Sequence, residues 1–453
     1  MTETPAPAAH PSPREVVLAG ARIARTSQIA EPHTVCLRGE SIQSILPPHT
    51  RPIRAIEIDL TGHLILPGLI NAHDHLDFSL YPQLGRGPYP SWQEWAKDIY
   101  RPDDSPLREL QDVPSELRFW WGGIRNLLSG VTTVSQHDRS LPHVLRCDFP
   151  VQVPTEYGWA HSMRDPEIVT RRFHETPADW PFLLHLGEGT NSAASREFDE
   201  LARTLPLDAR IGLVHAVGLT PAQWETVRRL NMGVVWCPAS NLFTLGHTLS
   251  FRQIKSLTNV ALGTDSPLTA SGDFLDHVRF LHQNLRIPPA LLYLLVTTRA
   301  ARLLRLKENQ GRIEPGARAN LIVVRDRRTT PANTLVELHW TDIELVMQSG
   351  RIVLLSPALA THLPPELTFH LESLWVDGVE RFINAPVVQL IGQTSDVLGP
   401  TFKLAGRSVA LPPVRPGYPS APNRRVVPPV TSVCQENVIS AELCGILQSG
   451  ARE

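Results

Sequence analysis

Residues 66–75 read LPGLINAHDH, an apolar run that passes Pro67-Gly68 and ends on two histidines with one residue between them. Side chains two apart on a strand face the same side, so His73 and His75 can reach one ion. The C-terminal end of a strand in a parallel (β/α) barrel is where active sites are built. Taken alone the pair is a weak signal, because two solvated loop histidines would read the same way.

Outward from this stretch, apolar runs alternate with helical patterns, the mark of parallel βαβ units. Strands are expected at 66–73, 131–137, 151–157, 182–188, 211–217, 232–238 and 260–266, with helices such as 115–130 and 221–231 between them. Gly130 suits the stop of the first of these helices. Only seven strands can be counted, and the interval from 137 to 182 is short for the usual number of units. One strand is therefore irregular, or the barrel is incomplete. Residues 15–66 and 312–356 carry short alternating apolar runs broken by turns, the rhythm of small antiparallel strands. The expected fold is α/β. A distorted (β/α) TIM-type barrel of seven or eight strands spans 67–311, inserted into a small composite β-sandwich built from 15–66 and 312–356. Residues 1–14 read as a disordered leader and 357–453 as a C-terminal extension. Within the extension, 365–395 would pack as an appendage, and the proline-rich 411–430 would be extended or disordered.

Bulk properties agree with an ordinary soluble protein. The 453 residues suit a barrel of roughly 250 plus additions. A formal net charge of −2 argues against nucleic acid or an anionic membrane as the main partner. No apolar run approaches the roughly 20 residues of a spanning helix, and the N-terminus has no signal-peptide pattern. Five scattered cysteines without a CxxC pair form neither a disulfide framework nor a thiolate zinc site. A cytoplasmic setting and a small-molecule substrate are expected, with a homodimer as the default assembly by symmetry statistics.

Three further strand ends deliver polar groups in apolar surroundings. FLLHLGE places His185 at a strand end with Glu188 three residues on, GLVHAVG places His215 on the next strand, and ALGTDSP places Asp265 at the last. A single buried histidine usually just finds a hydrogen-bond partner. Unsatisfied, such a group costs several kcal/mol. Four strand ends carrying metal-compatible groups are most economically explained by one shared site.

The strings PGLINAHDH (67–75), HLGE (185–188), VHAV (214–217), CPASNLF (237–243) and LGTDSPLTASG (262–272) resemble the amidohydrolase superfamily. They are most similar to its mononuclear-metal branch of cytosine, guanine and triazine deaminases and chlorohydrolases. The resemblance spans about residues 15–355 and includes GRIEPGARANLIVV (311–324), where the family's usual acidic residue is Asn320. It implies one divalent ion, Zn²⁺ with Fe²⁺ as the alternative, held by His73, His75, His185 and Asp265. The binuclear members' bridging lysine has no counterpart in VQVPTEYGWAHS (151–162), which favours a single metal. The resemblance also implies that Asp265 takes the proton of an activated water, Glu188 protonates a ring nitrogen of the substrate, and His215 steadies the attacking group or polarises the substrate.

Asn241, His137, His161 and Trp92 are candidate substrate contacts. Their plainer readings are a turn or helix cap for Asn241, solvated loop histidines for His137 and His161, and core packing for Trp92. Residues 84–100 read as a lid over an aromatic substrate. Cys237 reads as a small buried hydrophobe. The activity expected is hydrolytic deamination of a small nitrogen heterocycle, with cyclic or acyclic amide hydrolysis as the rival and a non-catalytic scaffold as the outside alternative.

Overall fold

A computed structural model of the protein describes residues 15–48, 50, 52, 55–137 and 149–412. The expected leader 1–14 and nearly all of the proline-rich 411–430 lie outside the described residues.

The apolar runs between residues 69 and 262 become parallel strands. Gly158–Ala160, Phe182–Leu186, Ile211–His215, Gly233–Trp236 and Val260–Leu262 form one five-stranded parallel sheet in that order. Leu69–Asp74 and Val131–Gln136 form a parallel pair. A parallel bridge between Asp74 and Asp265 joins this pair to the far edge of the five-stranded sheet. The strand expected at 151–157 is reduced to a single bridge. Gln152 accepts from Val134 N and donates to Thr132 O (2.9 and 2.8 Å), and the next strand begins only at Gly158. Pro154 interrupts the run after three residues, and proline cannot donate to a ladder.

Helices between the strands follow their local signals. Ser115–Leu128 ends as expected, with Gly130 at φ 77° just past its last turn. Pro221–Arg229 opens with a capping box made by Thr220 and Gln223.

The flanks combine as two sheets. Ser41–Leu46, Thr34–Arg38, Val16–Ala19 and Ile56–Asp59 form a four-stranded sheet. A ten-stranded sheet runs from Ala30–Pro32 and Arg22–Ala24 through His63–Pro67, Leu321–Arg325, Ile343–Gln348 and Arg351–Leu355. It then continues, without a break at 357, through Val379–Ile383, Glu372–Val376, Arg407–Ala410 and Lys403–Leu404. Two-residue alternation gives the ten-stranded sheet two buried faces. Ile65, Leu321, Val323, Leu345 and Met347 pack on Leu18, Val35, Leu37 and Ile42 of the smaller sheet. Leu64, Leu66, Ile322, Val324 and Val346 join the main core under the parallel strands instead. The segment 365–395 is thus more than an appendage: its strands extend this sheet, and Val387–Leu398 forms a helix behind them.

Candidate metal centre

All six side chains singled out as ligands or catalytic partners gather where the parallel strands end. One ligand atom from each of His73, His75 and His185 lies within 4.8 Å of the others, and the same holds for His73, His215 and Asp265. His73 Nε2 stands 3.2 Å from His185 Nε2 and 3.6 Å from Asp265 Oδ1, and His75 Nε2 is 3.5 Å from the same oxygen.

Backbone irregularities aim these groups. Ile70 and Ala72 belong to a small cluster with Leu183, Val214, Val235 and Ala261 on one face of the strands. Strict alternation would send His73 to the opposite face. The ladder with Val131–Gln136 shifts register between Asn71 and Asp74, and across this shift His73 turns onto the same face as Ala72 while Asp74 points away. Gly263 makes room for it, since a Cβ there would stand 2.8 Å from His73 Cβ. His215 follows Val214 and by parity should also face away, but its φ of 70° breaks the alternation. Asp265 likewise has φ 63°. Non-glycine residues in this region cost about 1–3 kcal/mol each and cluster at functional sites.

Each side chain is fixed from behind. His185 Nδ1 donates to the His161 carbonyl (2.8 Å), which leaves its Nε2 lone pair facing the centre. His215 Nδ1 donates to Asn241 Oδ1 (2.7 Å), so its Nε2 is the free acceptor, 3.5 Å from Glu188 Oε2. Asp265 Oδ2 accepts from Ser240 Oγ (2.5 Å) and Thr269 Oγ1 (3.0 Å), leaving Oδ1 for the centre. Asp74 is fully buried and paired with Arg125 Nη2 (2.5 and 2.6 Å), with Asn126 Nδ2 at 2.7 Å and Asn71 Nδ2 at 3.2 Å.

Burial dominates the electrostatics. It lowers His73 to about 4 and holds His185 well below the usual histidine range, so both imidazoles are neutral, as ligands must be. Burial opposes ionisation of Asp265, yet the facing imidazoles, His73 first, hold its carboxyl well below the ordinary range. Glu188 is pushed well above it, by burial first and then by the charges of Asp265 and Glu197. Burial also raises the Cys237 thiol well above its usual value, consistent with an inert core residue.

The donor set fits a divalent ion. His73 Nδ1 is buried with no hydrogen-bond partner, and its Nε2 faces another ring nitrogen at 3.2 Å. Ligands at the usual 2.0–2.1 Å from a tetrahedral zinc stand about 3.4 Å apart. Neutral imidazoles and an ionised carboxylate are borderline-soft to hard donors of the kind zinc takes.

The remaining candidates surround this centre. His137 is buried, with Nε2 3.2 Å from the Ala160 carbonyl and its ring 4.2 Å from that of His185. The His161 ring lies 5.0 Å from His185 and 5.4 Å from Trp92. Trp92 is buried and opens the helix Trp92–Ile99, and its backbone N–H donates to the Glu188 carbonyl (3.1 Å). The 84–100 segment is tied across the strand ends, through Leu84 N to Leu268 O, Tyr89 N to Thr244 O and Thr190 N to Pro90 O. Asn241 is neither turn nor cap. It sits inside the helix Pro238–Leu245, and its side chain serves His215. Ser240, Thr269 and Arg125 were not legible as site residues. Ser240 and Thr269 lie inside strings already singled out, whereas Arg125 reaches Asp74 across 51 positions with no local signal.

Residues 177–353 match the amidohydrolase family profile. This part of the chain is similar to the amidohydrolase family. The 5-methylthioadenosine/S-adenosylhomocysteine deaminase of Pyrococcus furiosus is 26% identical over 381 residues, covering 67% of this chain and 86% of the relative. The 5'-deoxyadenosine deaminase of Methanothermobacter thermautotrophicus is 24% identical, covering 66% and 83%. Among solved structures, an atrazine chlorohydrolase from Arthrobacter aurescens complexed with zinc superposes with a TM-score of 0.64 at 15% identity, over 84% of this chain and all of that one. An adenosine deaminase from Xanthomonas campestris with bound zinc gives 0.62 at 16% identity, over 86% and 99%. The chain therefore shares its overall α/β fold with these two zinc-containing enzymes.

Proposed function

We propose that the protein hydrolytically deaminates a small nitrogen heterocycle, using one divalent ion, zinc in the first instance. The observation that carries the reading is the convergence of three imidazole nitrogens and Asp265 Oδ1 on one point, with the buried Glu188 carboxyl on its rim. His73, His75, His185 and Asp265 would hold the ion. When bound, it supplies an acidified water, with a pKa towards ~7, as the nucleophile.

Asp265 Oδ1 accepts the proton that the nucleophile loses, while Ser240 and Thr269 keep Oδ2 occupied. Glu188, protonated because it is buried opposite other carboxylates, donates to a ring nitrogen and makes the adjacent carbon electrophilic. His215, oriented by Asn241, presents Nε2 to the same space and steadies the attacking group. His137, His161 and Trp92 contact the substrate, and 84–100 serves as its lid. The need for a ring-protonating acid favours deamination over amide cleavage. The relatives named as deaminases of adenosine-type nucleosides support the same choice.

The supporting architecture is a distorted (β/α) barrel over 67–311. Gln152 would stand for its eighth strand, and 15–66 with 312–356 would form the composite sandwich. The test is ammonia release by the zinc-loaded chain from a panel of purine nucleosides, pyrimidines, pterins and triazines. Release from at least one, abolished in Glu188→Gln and in His73→Ala, is expected. Cleavage of cyclic or acyclic amides with no ammonia from any heterocycle would overturn it.

A further inference from the structure

The residues past the family match grip the site from outside. The helix Val387–Leu398 packs on Ser115–Leu128, where the buried Thr394 Oγ1 accepts from Trp121 Nε1 (2.8 Å) and Phe402 lies 5.2 Å from the Trp121 ring. That helix carries Arg125 and Asn126, which hold Asp74 between His73 and His75. On the other side, the strand Arg407–Ala410 sends Arg407 onto the start of the helix Phe274–Asn284. Its guanidinium lies 2.9 Å from Asp273 Oδ2 and 3.1 Å from Asp276 Oδ2, and above the Trp340 ring. Asp273 is 2% exposed. Asp273 and Asp276 form the capping box of this helix, each accepting the other's backbone N–H at 2.9 Å.

The segment from Asp265 to Asp273 is therefore held at both ends. At one end Asp265 faces the centre, and Thr269 of the same segment donates to its Oδ2. In the middle, Leu268 and Thr269 accept from Leu84 and Gln83 of the lid region. At the other end stands the cap that Arg407 neutralises. We propose that Arg407 is a positioning residue for the Asp265 segment, and that residues 365–410 act as a brace fixing the two supports of the metal centre, at Asp74 and at Asp265. Without Arg407, two carboxylates three residues apart face each other at a helix start with only Arg279 beside Asp276. The cap then opens, and Thr269 loses its fixed place beside Asp265. The link to metal binding rests on the proposed zinc site; the mechanical link does not.

Hydrogen–deuterium exchange on the metal-free full chain separates the two. In Arg407→Gln, exchange across 263–277 is expected to rise by about tenfold or more, as loss of a charged hydrogen bond would give. Exchange across 34–46 in the smaller sheet should be unchanged, and Arg407→Lys should fall between. Zinc retention against a chelator is expected to drop in the same order, Arg407→Gln below Arg407→Lys. Ile42→Ala, which opens a cavity under the smaller sheet, should loosen 34–46 and leave zinc retention unchanged. Exchange at 263–277 equal to the parent, or raised equally everywhere, would overturn the brace. A parent chain that binds no zinc but shows the local exchange change would instead sink the metal reading and leave the brace standing.

Discussion

At the residue scale, the buried groups that touch no substrate set the geometry of those that do. Asp74 has no solvent exposure and depends on Arg125 for its charge balance. Arg125→Met leaves a buried carboxylate unpaired, and a loss of about 3–5 kcal/mol is expected in chemical denaturation. The double variant Asp74→Leu/Arg125→Met should regain most of it; no recovery would mean that packing, not charge, explains the loss. Glu197 offers a pH readout. Its Oε2 accepts from Gly187 N at 2.7 Å, and burial pushes its carboxyl from the ordinary 4.5 up to about 7. Between these values the folded chain binds more protons at this group than the unfolded chain. Stability therefore falls as pH rises from 4.5 to 7, by at most roughly 3 kcal/mol. Melting temperatures of the metal-free chain at pH 5 and pH 8 should differ less in Glu197→Gln, which keeps the acceptor, than in the parent. An equal difference would assign the pH dependence elsewhere.

At the scale of elements, the proposed lid segment 84–100 and the helix Pro238–Leu245 share a close backbone approach. A Cβ at Gly87 would collide with the Phe243 carbonyl oxygen, and neither backbone can yield without disturbing the Tyr89–Thr244 hydrogen bond of 2.7 Å. Gly87→Ala is expected to lift the lid. KM should rise at least severalfold, while the melting temperature falls little because the segment meets the main core only through half-buried side chains, Leu84, Trp95 and Tyr100. A large fall in melting temperature with KM unchanged would show that the segment is structural and not a lid. Among the strands, the departures from regular geometry lie where function needs them: the register shift before Asp74 and the positive φ of His215 and Asp265.

At the scale of the whole molecule, the proposed metal centre would draw its ligands from strands far apart in sequence, which would couple binding to folding. A ligand at a thousandfold its Kd stabilises the native state by about 4 kcal/mol. Zinc added to the metal-free chain should raise its melting temperature, and His73→Ala should not respond. An equal rise in both would point to non-specific binding. The sheet extension, the Trp121-bearing helix and the Asp265 segment form one continuous core.

The sequence by itself determined the α/β class of fold and pointed to the candidates for the proposed centre. Apolar runs that must be buried impose parallel strands, and a polar group ending such a run is visible without coordinates: His73, His185, His215 and Asp265 all are. Its spacing from His185 also marked Glu188 as a candidate. Only the tertiary structure decided how these groups are aimed and held. The inward turn of His73, the tasks of Asn241, Ser240 and Thr269, the Arg125–Asp74 pair and the reach of Arg407 depend on contacts between residues distant in the chain or on single backbone dihedrals. Neither leaves a periodic trace, because local patterns report what must be buried, and long-range contacts decide which buried group meets which.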